Sequence, residues 1–206
     1  MFIRIAAVTT TGSEQPAKIL FFYNRDTLFN DVSLMSNYMS KNLATKDGNI
    51  LTDDFAISDD EKDLVQVCIR ATLPDIYESM AKITNSVIPA FDDDVEEDGT
   101  KTGKDITGTT KTVPAGDYVE FLLLDNGAYN DNVLTMVDAS LYNSLKHGVL
   151  KEFYSTVINA DFFALSRDRF LAELSKLKQR LFQLKKKSVL SNLNSNGNNT
   201  IQTGEI

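Results

Sequence analysis

The residues best suited to chemistry are few: one histidine, His147, one cysteine, Cys68, and a carboxylate run of Asp92, Asp93, Asp94, Glu96, Glu97 and Asp98. Asp92, Asp94 and Glu96 stand at alternate positions, as the first ligands of a calcium loop do. A loop of the EF-hand type starting at Asp92 also needs glycine at its sixth position and glutamate at its twelfth. Those positions hold Glu97 and Gly103. The run therefore reads as a solvated acidic loop. Magnesium-dependent hydrolysis also draws on carboxylates, but it needs them on rigid elements, and a glycine-rich stretch gives poor support. His147 precedes Gly148, far from any Gly-x-Ser-x-Gly elbow, and nothing pairs it with a serine or with Cys68. Cys68 shares an apolar face with Leu64 and Ala71, so it reads as a small buried hydrophobe and not as a reactive thiolate. Gly99, Gly103 and Gly108 lack the strand before and the helix after that a phosphate-binding loop requires. The expectation is a protein with no catalytic residue, no metal and no cofactor, and a metal-dependent hydrolase built on Asp92 to Asp98 is the weakest rival.

Charge is more informative than any single side chain. The chain has 206 residues, 42% of them hydrophobic, enough for a sizeable core. Acidic residues outnumber basic ones 29 to 21, a net charge of -8, which argues against a protein that wraps nucleic acid with its whole surface. A single cysteine forms no intrachain disulfide, and a single histidine removes most zinc sites. No apolar run approaches a membrane span, and Met1 to Val8 lacks a basic leader and a cleavage site, so a soluble, non-secreted protein is expected. The charge is segregated. Residues 167–187 hold eight basic side chains, Arg167, Arg169, Lys176, Lys178, Arg180, Lys185, Lys186 and Lys187, against Asp168 and Glu173, and the rest of the chain carries 13 basic and 27 acidic residues. That divides the net charge into +6 and -14. Such polarity suits association between copies or docking on an acidic partner, although lysines also favour a solvated helix end.

The elements that must position these groups can be read from periodicity. Phe2 to Val8 and Lys18 to Tyr23 are rich in Ile, Val, Phe and Tyr and predict a hairpin arm over residues 1–23. Leu28, Val32, Met35, Met39 and Leu43 recur at helical spacing, predicting a helix capped by Asp26 or Thr27 and stopped near Gly48. Ser58-Asp59-Asp60-Glu61 is a capping box opening a second helix, with Pro74 a kink or break inside it. Residues 92–117 hold eight acids, four glycines and no aromatic residue, so they predict an inserted arm, either a disordered loop or a hairpin ordered by a partner. Tyr118 to Leu124 reads as a strand. Asp138 or Ser140 is the expected cap of a third helix carrying Leu141, Leu145, Val149, Phe153 and Val157. Ser166 is the expected start of a fourth, whose Phe170, Leu174, Leu177, Leu181 and Leu184 form a packing seam. With only Ile158 to Leu165 between them, the last two should form an antiparallel helical hairpin. Residues 188–206, with their Asn- and Ser-rich run, read as a polar tail, disordered unless bound. The fold class expected is α+β, mainly α: a helical bundle with an antiparallel hairpin plus a small β-sheet or hairpin arm, in one domain over residues 1–187.

The order of these elements resembles the head-to-tail adaptor, connector or ring, proteins of tailed bacteriophages, and is closest in look to the ring proteins of crAss-like gut phages. Three segments carry the resemblance. They are Asp59-Asp60-Glu61-Lys62-Asp63-Leu64 through Met80, Leu141-Tyr142-Asn143-Ser144-Leu145-Lys146 through Phe153-Tyr154, and Phe162-Phe163-Ala164 followed by Arg169 to Lys187. The hairpin over 1–23 and the arm over 92–117 stand outside them as additions, and the chain lacks the tryptophan that family members often place near Phe153-Tyr154. The resemblance implies a structural virion protein without catalysis, made in a bacterial host's cytoplasm and placed in the neck. It implies a ring, usually of twelve copies, beneath the portal, in contact with portal and other neck or tail rings. The ring extends the channel through which DNA passes without specific binding. The basic helix would then be an assembly surface. Another virion component, such as a tail-completion or capsid accessory protein, and a non-viral helical nucleic-acid-binding module using Arg167 to Lys187 are the alternatives.

Overall fold

Strand-forming sequence at the chain start supplies the middle of a sheet in the computed structural model, which describes residues 1–5, 8–10, 13–15, 17–41, 56–84, 87–88, 101–105, 107–113, 118–124 and 129–196. The elements in chain order are β1 (Phe2–Ile5), β2 (Val8–Thr10), β3 (Ser13–Gln15), β4 (Lys18–Asn24) and α1 (Arg25–Lys41). A single 3-10 turn, Asp59–Glu61, leads into α2 (Lys62–Thr84). Then come β5 (Val87–Ile88), β6 (Lys101–Lys104), β7 (Thr110–Val113), β8 (Tyr118–Leu124), α3 (Asp131–Thr156) and α4 (Ala160–Asn196). The protein is α+β and mainly helical, with α3 and α4 as an antiparallel hairpin.

The main sheet runs β5-β8-β4-β1-β6-β7, antiparallel at every pairing, while β2 and β3 form a small ribbon of their own. Alternation assigns its two faces. Phe2, Ile19, Phe21, Tyr23, Val119, Phe121 and Leu123 look toward the helices and join one continuous core with them. Ile3, Leu20 and Val113 form a second, smaller cluster on the other face. The two strands expected within residues 1–23 do pair, but not as an appended arm, because β1 and β4 lie side by side in the main sheet with Phe2 opposite Phe21 and Ile3 opposite Leu20.

The stretch read as an inserted acidic arm also ends inside the fold. Its second half makes the β6–β7 hairpin, which pairs with β1 through Arg4 and Lys104. Lys101 forms an ion pair with Glu120 of β8, although β1 and β4 lie between their strands. That pair requires the hairpin to curl back over the sheet face, and it brings Val113 onto Ile3 and Leu20. Gly103 permits the close approach, since a Cβ there would meet the Arg4 carbonyl oxygen at 2.6 Å. The carboxylates Asp92, Asp93, Asp94, Glu96, Glu97 and Asp98 lie outside the described residues.

Helix limits differ from expectation where side chains farther back do the capping. Asn24, not Asp26 or Thr27, caps α1, its Oδ1 accepting from Thr27 N at 2.9 Å. Asn130 caps α3 by accepting from Asn132 N, so α3 starts a full two turns before Asp138. Asn159 caps α4 by accepting from Phe162 N, and Ser166 sits buried inside the helix. The connection between α3 and α4 shrinks to Val157, Ile158 and Asn159, with Ile158 in the left-handed region at φ 56°. The capping box at Ser58 and Glu61 forms as read. α2 runs unbroken through Pro74, because Val65 and Ile69 before it and Ile76, Tyr77 and Met80 after it bury in one core. The polar tail is shortened too, since α4 continues to Asn196. Gly148 sets the crossing of α2, α3 and α4: a Cβ would come within 2.2 Å of Thr72 Cγ2 and 3.0 Å of the Phe170 ring.

Candidate functional site

The basic segment is the first candidate, and α4 divides it. Arg180 turns inward and donates to the Met136 carbonyl and to Ser140 Oγ, joining α4 to α3. Arg167 pairs with its neighbour Asp168 at 3.1 Å, and Lys176 with Glu173 at 2.6 Å. Arg169 is exposed on α4 and lies close enough to His147 to disfavour its protonation. Lys178 is exposed and makes no ion pair with another described residue. Lys185, Lys186 and Lys187 continue the helix, with side chains outside the described residues. Two large apolar residues interrupt this charge, Leu171 at 55% exposure and Phe182 at 59%. At about 100° per residue, Arg167, Leu171, Lys178 and Phe182 fall within an arc of roughly 60°. The exposed side of α4 is therefore a mixed basic and apolar stripe, beside the buried seam of Phe170, Leu174, Leu177, Leu181 and Leu184.

The second candidate was not legible in the sequence: a cleft of about 520 Å3 where the ends of β4 and β8 meet α1 and α3. Phe22, Tyr23, Tyr118 and Tyr142 supply aromatic walls, and Asp31 and Asp138 face the same space. Asp138 Oδ1 accepts from Tyr23 Oη at 2.8 Å and from the Met1 ammonium at 2.7 Å. Asp31 Oδ2 accepts from Tyr142 Oη at 2.7 Å, with Lys146 Nζ at 4.0 Å. Each carboxylate keeps its other oxygen without a partner among the described residues. Burial, with the Asp138 charge and hydrogen bond added, raises Tyr23 well above the usual phenol range, and burial with Asp31 raises Tyr142. Both phenols stay protonated and donate, so they orient the carboxylates and are not general bases. Lys146 Nζ lies 4.8 Å from the Tyr142 ring centroid, a cation already on an aromatic wall. A smaller cleft of about 320 Å3 lies on the far side of Met1 and Asp138, toward the β6–β7 turn. In that turn, hydrogen bonds led by the Thr107 hydroxyl hold the Asp105 carboxyl down at about 2. Periodicity gave no sign of the larger cleft because its residues come from four elements whose meeting is a tertiary fact.

Cys68 and His147 are the remaining candidates. Burial pushes the Cys68 thiol up to about 11, and it packs in the core. Burial first, then Arg169, lowers His147 to about 4, and its Nδ1 has no hydrogen-bond partner among the described residues. Among the described residues, no group of three or more His, Cys, Asp or Glu is placed to hold a metal ion, and no helix is long and apolar enough to cross a membrane. No family model, curated protein or solved structure matches the chain.

Proposed function

We propose that this protein is a structural subunit of a phage neck, a head-to-tail adaptor that assembles with copies of itself into a ring beneath the portal and extends the DNA channel. The observation that carries the reading is the stripe on α4, where Leu171 and Phe182 stand in water beside Arg167 and Lys178 on a chain that is otherwise strongly acidic. Exposed apolar residues set among charges of one sign are what an assembly surface needs: area to bury and a field that selects an opposite surface. The resemblance in element order set out above supports the choice of this family. An acidic body also suits a channel wall, since each lysine facing the lumen would hold DNA phosphates by a salt-dependent contact.

Sedimentation and electron microscopy of the purified chain, alone and co-expressed with the products of neighbouring genes, test this. The expected result is a symmetric ring in at least one of the two preparations. A chain that stays monomeric in both, and is missing from purified particles, overturns the reading. Tight DNA binding with a steep salt slope would instead favour the nucleic-acid module.

A further inference from the structure

We infer that the aromatic cleft between β4, α1 and α3 is the receiving half of the contact between copies, taking Phe182 of a second copy between its rings while Lys178 of that copy pairs with Asp31. The inference rests on the self-assembly just proposed and names the surface that the α4 stripe meets.

Complementarity carries it. Phe182 and Lys178 are one helical turn apart, so their side chains leave α4 together, one apolar and one cationic. The cleft offers the matching pair: ring walls from Phe22, Tyr118 and Tyr23, and at its edge Asp31, whose Oδ2 meets Tyr142 and Lys146 while Oδ1 has no partner among the described residues. Its volume of about 520 Å3 lies in the range of sites that enclose a bound group. Asp138 is engaged by Tyr23 and Met1 and serves to fix the wall, whereas the Asp31 carboxylate is 42% exposed and can accept a further donor.

The fold also forbids a chain from satisfying itself. On α3, the Met136 carbonyl and the Ser140 hydroxyl meet Arg180 of α4. Asp138 and Tyr142, two residues on from each, lie about 200° around the helix and line the cleft. α3 therefore stands between the cleft and α4, and stripe and cleft meet only between copies. Such a contact joins two different surfaces, so it is heterologous, and repeating it builds a closed ring or a filament.

Two single variants on exposed positions test the inference. Phe182→Ser removes the anchor, and Ala139→Trp crowds the cleft from its rim; both positions are exposed, and retained thermal melting shows that the variants fold. Sedimentation is expected to show each variant alone associating at least about tenfold more weakly than wild type. Mixed together, the two should form a heterodimer and nothing larger, because one intact cleft and one intact stripe remain. Wild-type assembly by folded variants overturns the inference and leaves the ring reading standing, as does a mixture that stays monomeric, which would assign the cleft to another partner. A wild type that never associates removes both.

Discussion

His147 shows how a residue's chemistry is set by what surrounds it. Its ring is partly buried on α3 beside α4, with Nδ1 unpartnered among the described residues and the positive charges of Arg169, Lys146 and Lys176 outweighing Glu173. All but Glu173 oppose protonation, and burial is the largest cause. The folded chain holds this imidazole neutral down to about 4, whereas the unfolded chain protonates it near 6.5. Protons therefore favour the unfolded state in that window, and stability is full above about 6.5 and falls as pH drops toward 4. Urea midpoints taken across this range should decline for the wild type, and His147→Gln should flatten the decline. An equal slope in the variant would assign the pH dependence to carboxylates instead. None of this could be read from the sequence, which gave only a histidine on a helix without a nucleophile beside it.

At the scale of elements, the sequence located helices better than it bounded them. Apolar spacing identified the buried faces of α1, α3 and α4, because a helix must bury one stripe whatever it packs against. On α2 it located Cys68, Ile76 and Met80 correctly, but Val67 and Ala71, expected on the same face, are exposed, and Val65 and Ile69 bury instead. Caps were harder, since several Asp, Ser and Asn residues compete near each start and geometry chooses one. The α3–α4 connection is the sharpest case. Asn159 caps α4, and Tyr154 O accepts from Asn159 N at 3.0 Å, which leaves Ile158 to absorb the reversal at φ 56° and 90% exposure. A β-branched residue is disfavoured there by about 1–2 kcal/mol, and asparagine adopts that conformation more readily. Ile158→Asn should stabilise the protein by about 1 kcal/mol in urea unfolding, with no loss of burial to offset the gain. A neutral or destabilising result would mean that the turn is not strained.

At the scale of the whole molecule, one ion pair fastens the curled sheet. Glu120 is 4% exposed, and its partner Lys101 reaches it from the far side of β1 and β4. Removing the lysine alone strands a buried carboxylate, whereas removing both charges leaves an apolar contact. Lys101→Met should cost about 2 kcal/mol by chemical denaturation, and adding Glu120→Leu should recover most of it. Equal stability of the single variant and wild type would show that the hairpin is held by Val113, Ile3 and Leu20 without the pair. Charge at this scale also changes meaning. The basic residues of α4 are divided among an inward tie at Arg180, local pairs at Arg167 and Lys176, and an outward cation at Lys178.

The sequence by itself determined the fold class, the helical hairpin, the three adjacent strands β8, β4 and β1 inside the sheet and the acidic body with its basic helix. Those properties follow from composition and from periods of two and 3.6 residues, which local chemistry imposes. Only the tertiary structure decided that β1 and β4 lie inside the sheet, that part of the acidic stretch closes over it, and that Tyr23, Asp31, Asp138 and Tyr142 share a cleft. The physical reason is that a strand's place in a sheet and a cleft's walls depend on pairings between residues as much as 137 positions apart, such as Met1 and Asp138. No local pattern encodes them.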